Sequence, residues 1–209
     1  MKISYAITVC NEFIEIQRLL NFLLKHKRHQ DEIVVLMDTT KANSELLSTL
    51  RLFESHNMDH MVVWPAEFQG HFADWKNKLT SLCTGDFIFQ IDADEIPCTS
   101  IIESLPMILK DNPEVDVYLV PRVNTVEGLT DAHIQKWRWN VNSEGWVNWP
   151  DYQWRIFRNV DTIEWKNKVH EVLEGFKQFA HLPMEEDYSL YHPKTISKQE
   201  KQNAYYDTL

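Results

Sequence analysis

The chain has little glycine, cysteine or positive charge, and no long apolar run. Only five glycines occur in 209 residues, and none lies between Ala6 and Glu12, which argues against a phosphate-cradling glycine loop. Three cysteines, Cys10, Cys83 and Cys98, are too few and too scattered for a disulfide framework. None forms a C-x-x-C pair, so structural zinc is not expected and a reducing compartment fits best. Twenty-one basic against thirty-one acidic residues leave a net charge of -10, which repels phosphate backbones and anionic lipid and disfavours a nucleic-acid partner. No stretch approaches the roughly 18 apolar residues of a membrane span. The first apolar run, Ile3 to Cys10, meets Asn11-Glu12 with no small-residue cleavage site, so a cytoplasmic protein is expected. What the chain does have is 44% apolar content, enough for one compact unit with a full core.

Its N-terminal half alternates in period. Ile3 to Val9 is short and β-rich, and a helical pattern follows with Ile14, Ile16, Leu19, Leu20, Leu23 and Leu24. Ile33 to Met37 reads as a second strand, and Asn43 or Ser44 can cap a helix through Leu46, Leu47, Leu50 and Phe53. A third strand, Met61 to Trp64, is expected to stop at Pro65, with a helix from about Ala73 to Cys83 and a fourth strand from Phe87 to Ile91. Three βα repeats before a central strand predict a mostly parallel sheet covered on both faces, an α/β fold. Ligands of such sheets sit at the carboxyl ends of the strands, where this chain places Asn11-Glu12, Asp38 and Asp92-Ala93-Asp94-Glu95. Beyond a helix at Ile101 to Leu109, short strands are expected at 115–123, 152–157, 162–165 and 168–173, with a Trp- and Asn-rich stretch before Trp149 and an amphipathic helix over 197–206 that carries Lys198, Lys201 and paired tyrosines. One domain, 1–209, is expected. The chain ends at Leu209 without a stop signal, which leaves open that it is one domain of a longer protein.

Asp92 and Asp94 follow an apolar strand at the expected centre of the sheet, where uncompensated carboxylates are costly. A divalent cation would compensate them, since residues i and i+2 of extended backbone face one side. The plainer alternative is an acidic loop that caps the helix beginning near Thr99. His170-Glu171 is a second pair in which histidine can serve as metal ligand and the carboxylate as base. Six of the eight tryptophans lie between Trp137 and Trp165, and most are expected to be core in a stretch poor in aliphatic residues.

Ala6-Ile7-Thr8-Val9-Cys10-Asn11-Glu12, Asp38 after the second strand, and Gly85 to Glu95 together resemble family 2 glycosyltransferases of the GT-A fold. Pro150 to Asn159, Trp165 and Val169-His170-Glu171 resemble the acceptor half of small bacterial and viral members, including lipopolysaccharide-core transferases. The resemblance implies a nucleotide-sugar half, 1–98, and an acceptor half, 99–209. It implies that Asn11, Glu12, Asp38, Lys78, Asp92, Ala93, Asp94 and Arg155 face a UDP, GDP or dTDP sugar, and that Asp92, Asp94 and His192 hold Mn²⁺ or Mg²⁺, the nitrogen ligand favouring Mn²⁺. Lys78 has an ordinary alternative as the i,i+4 surface partner of Asp74. Trp149, Trp165 and His170 are expected on a saccharide acceptor, and His170 competes with His192 for the metal. Glu171 is expected to be the general base of an inverting transfer, with Asp151 as runner-up. Arg155 and Arg158 point to opposite faces of a strand, so only Arg155 is expected at the diphosphate. One departure is that Asp38 is followed by Thr39-Thr40 where the family carries a second acid. Two alternative functions are a sugar-1-phosphate nucleotidyltransferase, which normally begins with a glycine-rich loop, and a carbohydrate-binding module, which requires an all-β chain.

Overall fold

Ile3–Val9 forms β1 and places Ile3, Tyr5, Ile7 and Val9 on one face of a sheet and Ser4, Ala6 and Thr8 on the other. In this computed structural model, which describes residues 1–41 and 43–206, β1 lies between two parallel neighbours, β2 (Glu32–Asp38) and β4 (Phe87–Asp92). The edge strand β3 (Met61–Ala66) extends the parallel set beyond β2. The connecting helices are α1 (Phe13–His26), α2 (Ser44–His56) and α3 (Phe72–Ser81). Asn43 caps α2, its side chain accepting from Leu46 N at 2.7 Å. Contrary to expectation, β3 continues through Pro65; an edge strand tolerates proline because one side of it has no neighbour to bond.

The first face carries α1, α2 and α4 (Thr99–Asp111), with Ile16, Leu19, Leu20 and Leu23 of α1 fully buried against β1 and β2. Each such side chain contributes about 1.5–3 kcal/mol relative to exposure. The second face carries α3 and the hairpin β9 (Glu164–Lys166) and β10 (Val172–Glu174), around Trp75, Leu79, Trp165 and Leu173. After Gly175 the chain runs to β11 (Phe179–His181), which pairs with β6 (Val117–Val120). β8 (Gln153–Arg158) runs antiparallel between β4 and β6 and completes a seven-stranded sheet in the order β11-β6-β8-β4-β1-β2-β3. The expected mixed α/β architecture with a mostly parallel core is therefore what forms, and it excludes an all-β binding module. A separate three-stranded sheet joins β5 (Ile96–Pro97), β12 (Leu190–Thr195) and β7 (Arg122–Glu127). Two short helices not anticipated in detail are α5 (Asp131–Trp137) and a 3₁₀ turn at Glu186–Tyr188. The helix expected over 197–206 is α6 (Ile196–Tyr206); the side chains of Tyr205 and Tyr206 lie outside the described residues. Among the described residues, no helix is long and apolar enough to cross a membrane, and all three cysteines are free thiols.

Gly175 closes the β10 turn at φ +85, where a Cβ would lie 1.7 Å from the carbonyl oxygen of Thr162. Gly175→Ala is expected to cost about 2 kcal/mol or more and to lower the thermal midpoint by roughly 4–8 °C, read by circular dichroism. An unchanged midpoint would contradict this packing.

Candidate active site

One large cleft of about 870 Å³ opens at the carboxyl ends of β1, β2 and β4, the position that parallel sheets reserve for ligands. At its nucleotide-side end the backbone leaves β1, and Glu12 folds back to accept from the N–H groups of Cys10 and Asn11 at 2.9 and 3.0 Å. Asp38 is 4% exposed and lines the cleft. Its carboxylate accepts from Thr40 N and Oγ1, from Phe68 N and from the Cys10 thiol. Burial pushes Asp38 up, but these donors outweigh it and hold the carboxyl below its usual range. Thr40, standing where a second acid was missed, spends its hydroxyl on Asp38. Burial, with Asp38 beside it, pushes the Cys10 thiol up to about 12, so it is inert rather than nucleophilic.

The floor is a buried charge network. Glu95, fully buried, receives Nε and Nη2 of Arg155 at 3.1 and 2.7 Å and Nη1 of Arg122 at 3.0 Å. Arg155 Nη2 also reaches Asp92 Oδ2 at 2.6 Å, while Asp92 Oδ1 accepts from Gln90. Burial pushes Asp92 up, but Arg155 foremost holds it well below the carboxylate range. Arg122 also donates from Nε and Nη2 to Asp151 Oδ2 at 2.9 and 2.7 Å. Two expectations change here. Arg155 is 3% exposed and its fork is spent on Glu95 and Asp92, so it braces the floor instead of presenting itself to a diphosphate. Asp92 through Glu95 do not cap the next helix either: Cys98 occupies that position without a side-chain bond.

Asp94 stands apart from this network. Its Oδ2 lies 3.4 Å from His192 Nε2 and 3.1 Å from Lys198 Nζ. Parallel pairing of β12 with β7 sets His192 opposite Asn124, and Asn124 Oδ1 is 2.8 Å from His192 Nδ1. Because the Asn124 amide nitrogen donates to Asp151 Oδ2 at 2.6 Å, its oxygen must face the histidine, which therefore carries its proton on Nδ1. Burial lowers the His192 pKa although Asp94 pulls it the other way, and Nε2 faces the Asp94 carboxylate. A divalent cation suits this donor pair, and Asn124 is the outer partner that orients the imidazole. Asp92 is committed to Arg155, so the expected trio of Asp92, Asp94 and His192 reduces to Asp94 and His192. Among the described residues no three His, Cys, Asp or Glu side chains gather at one metal position.

On the far wall, Glu171 pairs with Lys76 at 3.1 Å, and Lys76 also lies 4.4 Å from the centre of the Trp165 ring. Lys76 shares the cleft-facing side of α3 with Phe72 and Trp75. Lys78 does not line the cleft; its ammonium lies 5.9 Å from the Trp75 ring, and Asp74 has His71 beside it at 3.4 Å. Trp149 packs on Trp146 away from the cleft, and Trp165 is 2% exposed, chiefly core. Trp139 and Trp154 supply the other tryptophan faces in the wall. Asp151 and His170 also line it, with φ of 23 and 56, left-handed values that non-glycine residues hold at a cost and that cluster at functional sites. Asp151 accepts from Arg122, Asn124 and Gln153. Burial raises its pKa, yet Arg122 and these bonds leave it lowered.

Arg122, Asn124, Lys76, Lys194 and Lys198 were not anticipated. Only Lys76 had a readable signal, the helical spacing from Phe72.

No protein-family model matches the sequence, and no curated protein matches it. Among solved structures, the crystal structure of Staphylococcus aureus TarS superposes with a TM-score of 0.60 at 16% identity, over 97% of this chain and 38% of that one. S. aureus TarS 1-349 in complex with UDP-GlcNAc gives a TM-score of 0.62 at 16% identity, over 93% of this chain and 59% of that one. The chain thus spans less than two thirds of either. This likeness shows the fold: the architecture matches a GT-A-like glycosyltransferase domain.

Proposed function

We propose that the protein is a metal-dependent, inverting glycosyltransferase that moves a sugar from a nucleoside diphosphate to a hydroxyl of a saccharide acceptor. The observation that carries this is the Asp94–His192 donor pair at the carboxyl end of β4, in a cleft whose fold neighbour binds UDP-GlcNAc. Residues 1–98 form the donor half, with Asn11, Glu12 and Asp38 at the nucleoside and Ala93 in the wall between them and Asp94; residues 99–209 form the acceptor half. Asp94 and His192 hold Mn²⁺, or Mg²⁺ less well. When bound, the ion supplies Lewis acidity that neutralises charge on the departing diphosphate. Asp92, fixed by Arg155, shapes the floor beside it. Trp139, Trp154 and His170 offer surfaces to the acceptor.

Glu171 is the base that takes the acceptor hydroxyl proton, with Lys76 positioning its carboxylate. Asp151 is the less suited candidate, because Arg122, Asn124 and Gln153 already occupy both of its oxygens. Glu171→Gln is expected to keep donor binding and to lower transfer by roughly 10²–10⁴-fold; full activity in that variant would move the base to Asp151, to be checked with Asp151→Asn. Calorimetry with UDP, GDP and dTDP, each with and without Mn²⁺, tests the whole reading, and no binding under any condition would refute it.

A further inference from the structure

α6 forms part of the cleft wall, with Lys198, Gln199, Lys201 and Gln202 facing it, yet none of its described side chains is buried. Its seat is polar. Lys198 Nζ lies 3.1 Å from Asp94 Oδ2 and 3.4 Å from Glu15 Oε1. Lys194, just before the helix, donates to Gln202. Glu200 sits 3.9 Å from His133. Lys198 is 37% exposed and Asp94 16%. The ammonium end of this pair reaches water, and a helix without a buried face belongs to the least stable part of a fold, from which moving elements are drawn. The oxygen that Lys198 touches, Asp94 Oδ2, is also the one facing His192 Nε2. A divalent ion held between Oδ2 and His192 Nε2 would stand beside this ammonium, and the two positive charges would repel each other.

We propose that Lys198 and a divalent cation are alternative partners of Asp94, so that binding of the ion releases Lys198 and loosens the seat of α6, coupling this helix to metal loading. The inference rests on the reading of Asp94 and His192 as metal donors. Once released, the ammonium stands with Lys194 and Lys201 on the same wall. There three positive charges face the place where the diphosphate of a donor approaches.

The test uses Mn²⁺ alone, without nucleotide, titrated into the full chain and followed by the electron paramagnetic resonance of free Mn²⁺. Lys198→Met keeps the apolar stem and removes the competitor, so it should bind Mn²⁺ roughly fivefold more tightly than the wild type. Asp94→Asn should lose the site. Hydrogen exchange of the wild type provides a second measurement that depends on no variant: Mn²⁺ should speed exchange of the α6 amides, and Lys198→Met should already exchange fast. Equal or weaker Mn²⁺ binding by Lys198→Met, or α6 amides indifferent to Mn²⁺, overturns the exchange. If Asp94→Asn meanwhile loses Mn²⁺, the metal assignment survives that failure; if Asp94→Asn binds as the wild type does, or no form binds, both fall.

Discussion

Replacing Asp94 by Asn is expected to abolish Mn²⁺-dependent nucleotide binding and to lower glycosyl transfer by at least about 10²–10³-fold, the scale of losing one preorganised group that stabilises transition-state charge. Asparagine keeps the size of the side chain but neither the charge nor the second anionic oxygen. His192 then faces an amide, and a lone imidazole in a half-open cleft is a weak site for a hard divalent ion. The fold should survive, because among the described residues Asp94 pairs with His192 and Lys198 and makes no direct bond to the buried Glu95. Calorimetry of UDP binding with and without Mn²⁺ reads the effect directly, with thermal unfolding as the control. A variant that unfolds normally and still binds nucleotide in a Mn²⁺-dependent way would place the ion elsewhere. His192→Ala should weaken Mn²⁺ more than it weakens Mg²⁺, since nitrogen donors matter more to the former. Asn124→Ala should act in the same direction more weakly, by freeing the imidazole to rotate.

The βα half was readable because its signal is local. Apolar runs such as Ile33–Met37 and helical spacings such as Ile16, Leu19, Leu20 and Leu23 state both the element and its buried face. Chain order then dictated which loops meet at the strand ends, and Asp38, Asp92 and Asp94 do line one cleft. The second half was less legible because its contacts are long-range. β8 enters the sheet between β4 and β6, a placement that no local periodicity encodes. Arg122 has no motif of its own; it matters because the small sheet brings it to Glu95, 27 positions away. Glu95 could have flagged it, since a carboxylate beside a central strand needs partners. Arg155 was seen as a cation near a diphosphate, but the number of buried acids around it, Asp92 and Glu95, decides that its fork turns inward. His192 beside Asp94 was expected through the family resemblance alone; the register of β12 on β7 and β5 is what brings the two together, and no local periodicity encodes it. For Lys78 the reason is different: the i+4 spacing from Phe72 points to Lys76, which stands with Phe72 on the cleft-facing side of α3.

The floor network should carry the largest effect on stability. Arg155→Met removes three charge-assisted hydrogen bonds, from Nε and Nη2 to Glu95 and from Nη2 to Asp92. It leaves Glu95, at 0% exposure, with Arg122 as its remaining cation. Breaking a buried pair from one side costs about 3–5 kcal/mol, which for a chain of this size lowers the thermal midpoint by roughly 6–20 °C. Arg155→Lys should recover only part of this, because an ammonium cannot serve both carboxylates with the geometry of a guanidinium fork. The sign of the pH dependence separates this mechanism from a packing defect. In the wild type, Asp92 is held below its ordinary value, so its contribution is present above about pH 4 and is lost as pH falls through the folded-state value. Without Arg155, burial of Asp92 is opposed by Lys76 and Arg122 alone, so its carboxyl moves up. The deficit against wild type then shrinks as pH falls. Unfolding midpoints of both proteins between pH 5 and pH 8 measure it. A deficit independent of pH would mean that lost packing around the Arg155 stem, not uncompensated charge, dominates. Adding Glu95→Gln to Arg155→Met should return part of the lost stability, because the stranded charge is removed with its partner; further destabilisation by the second substitution would contradict the network.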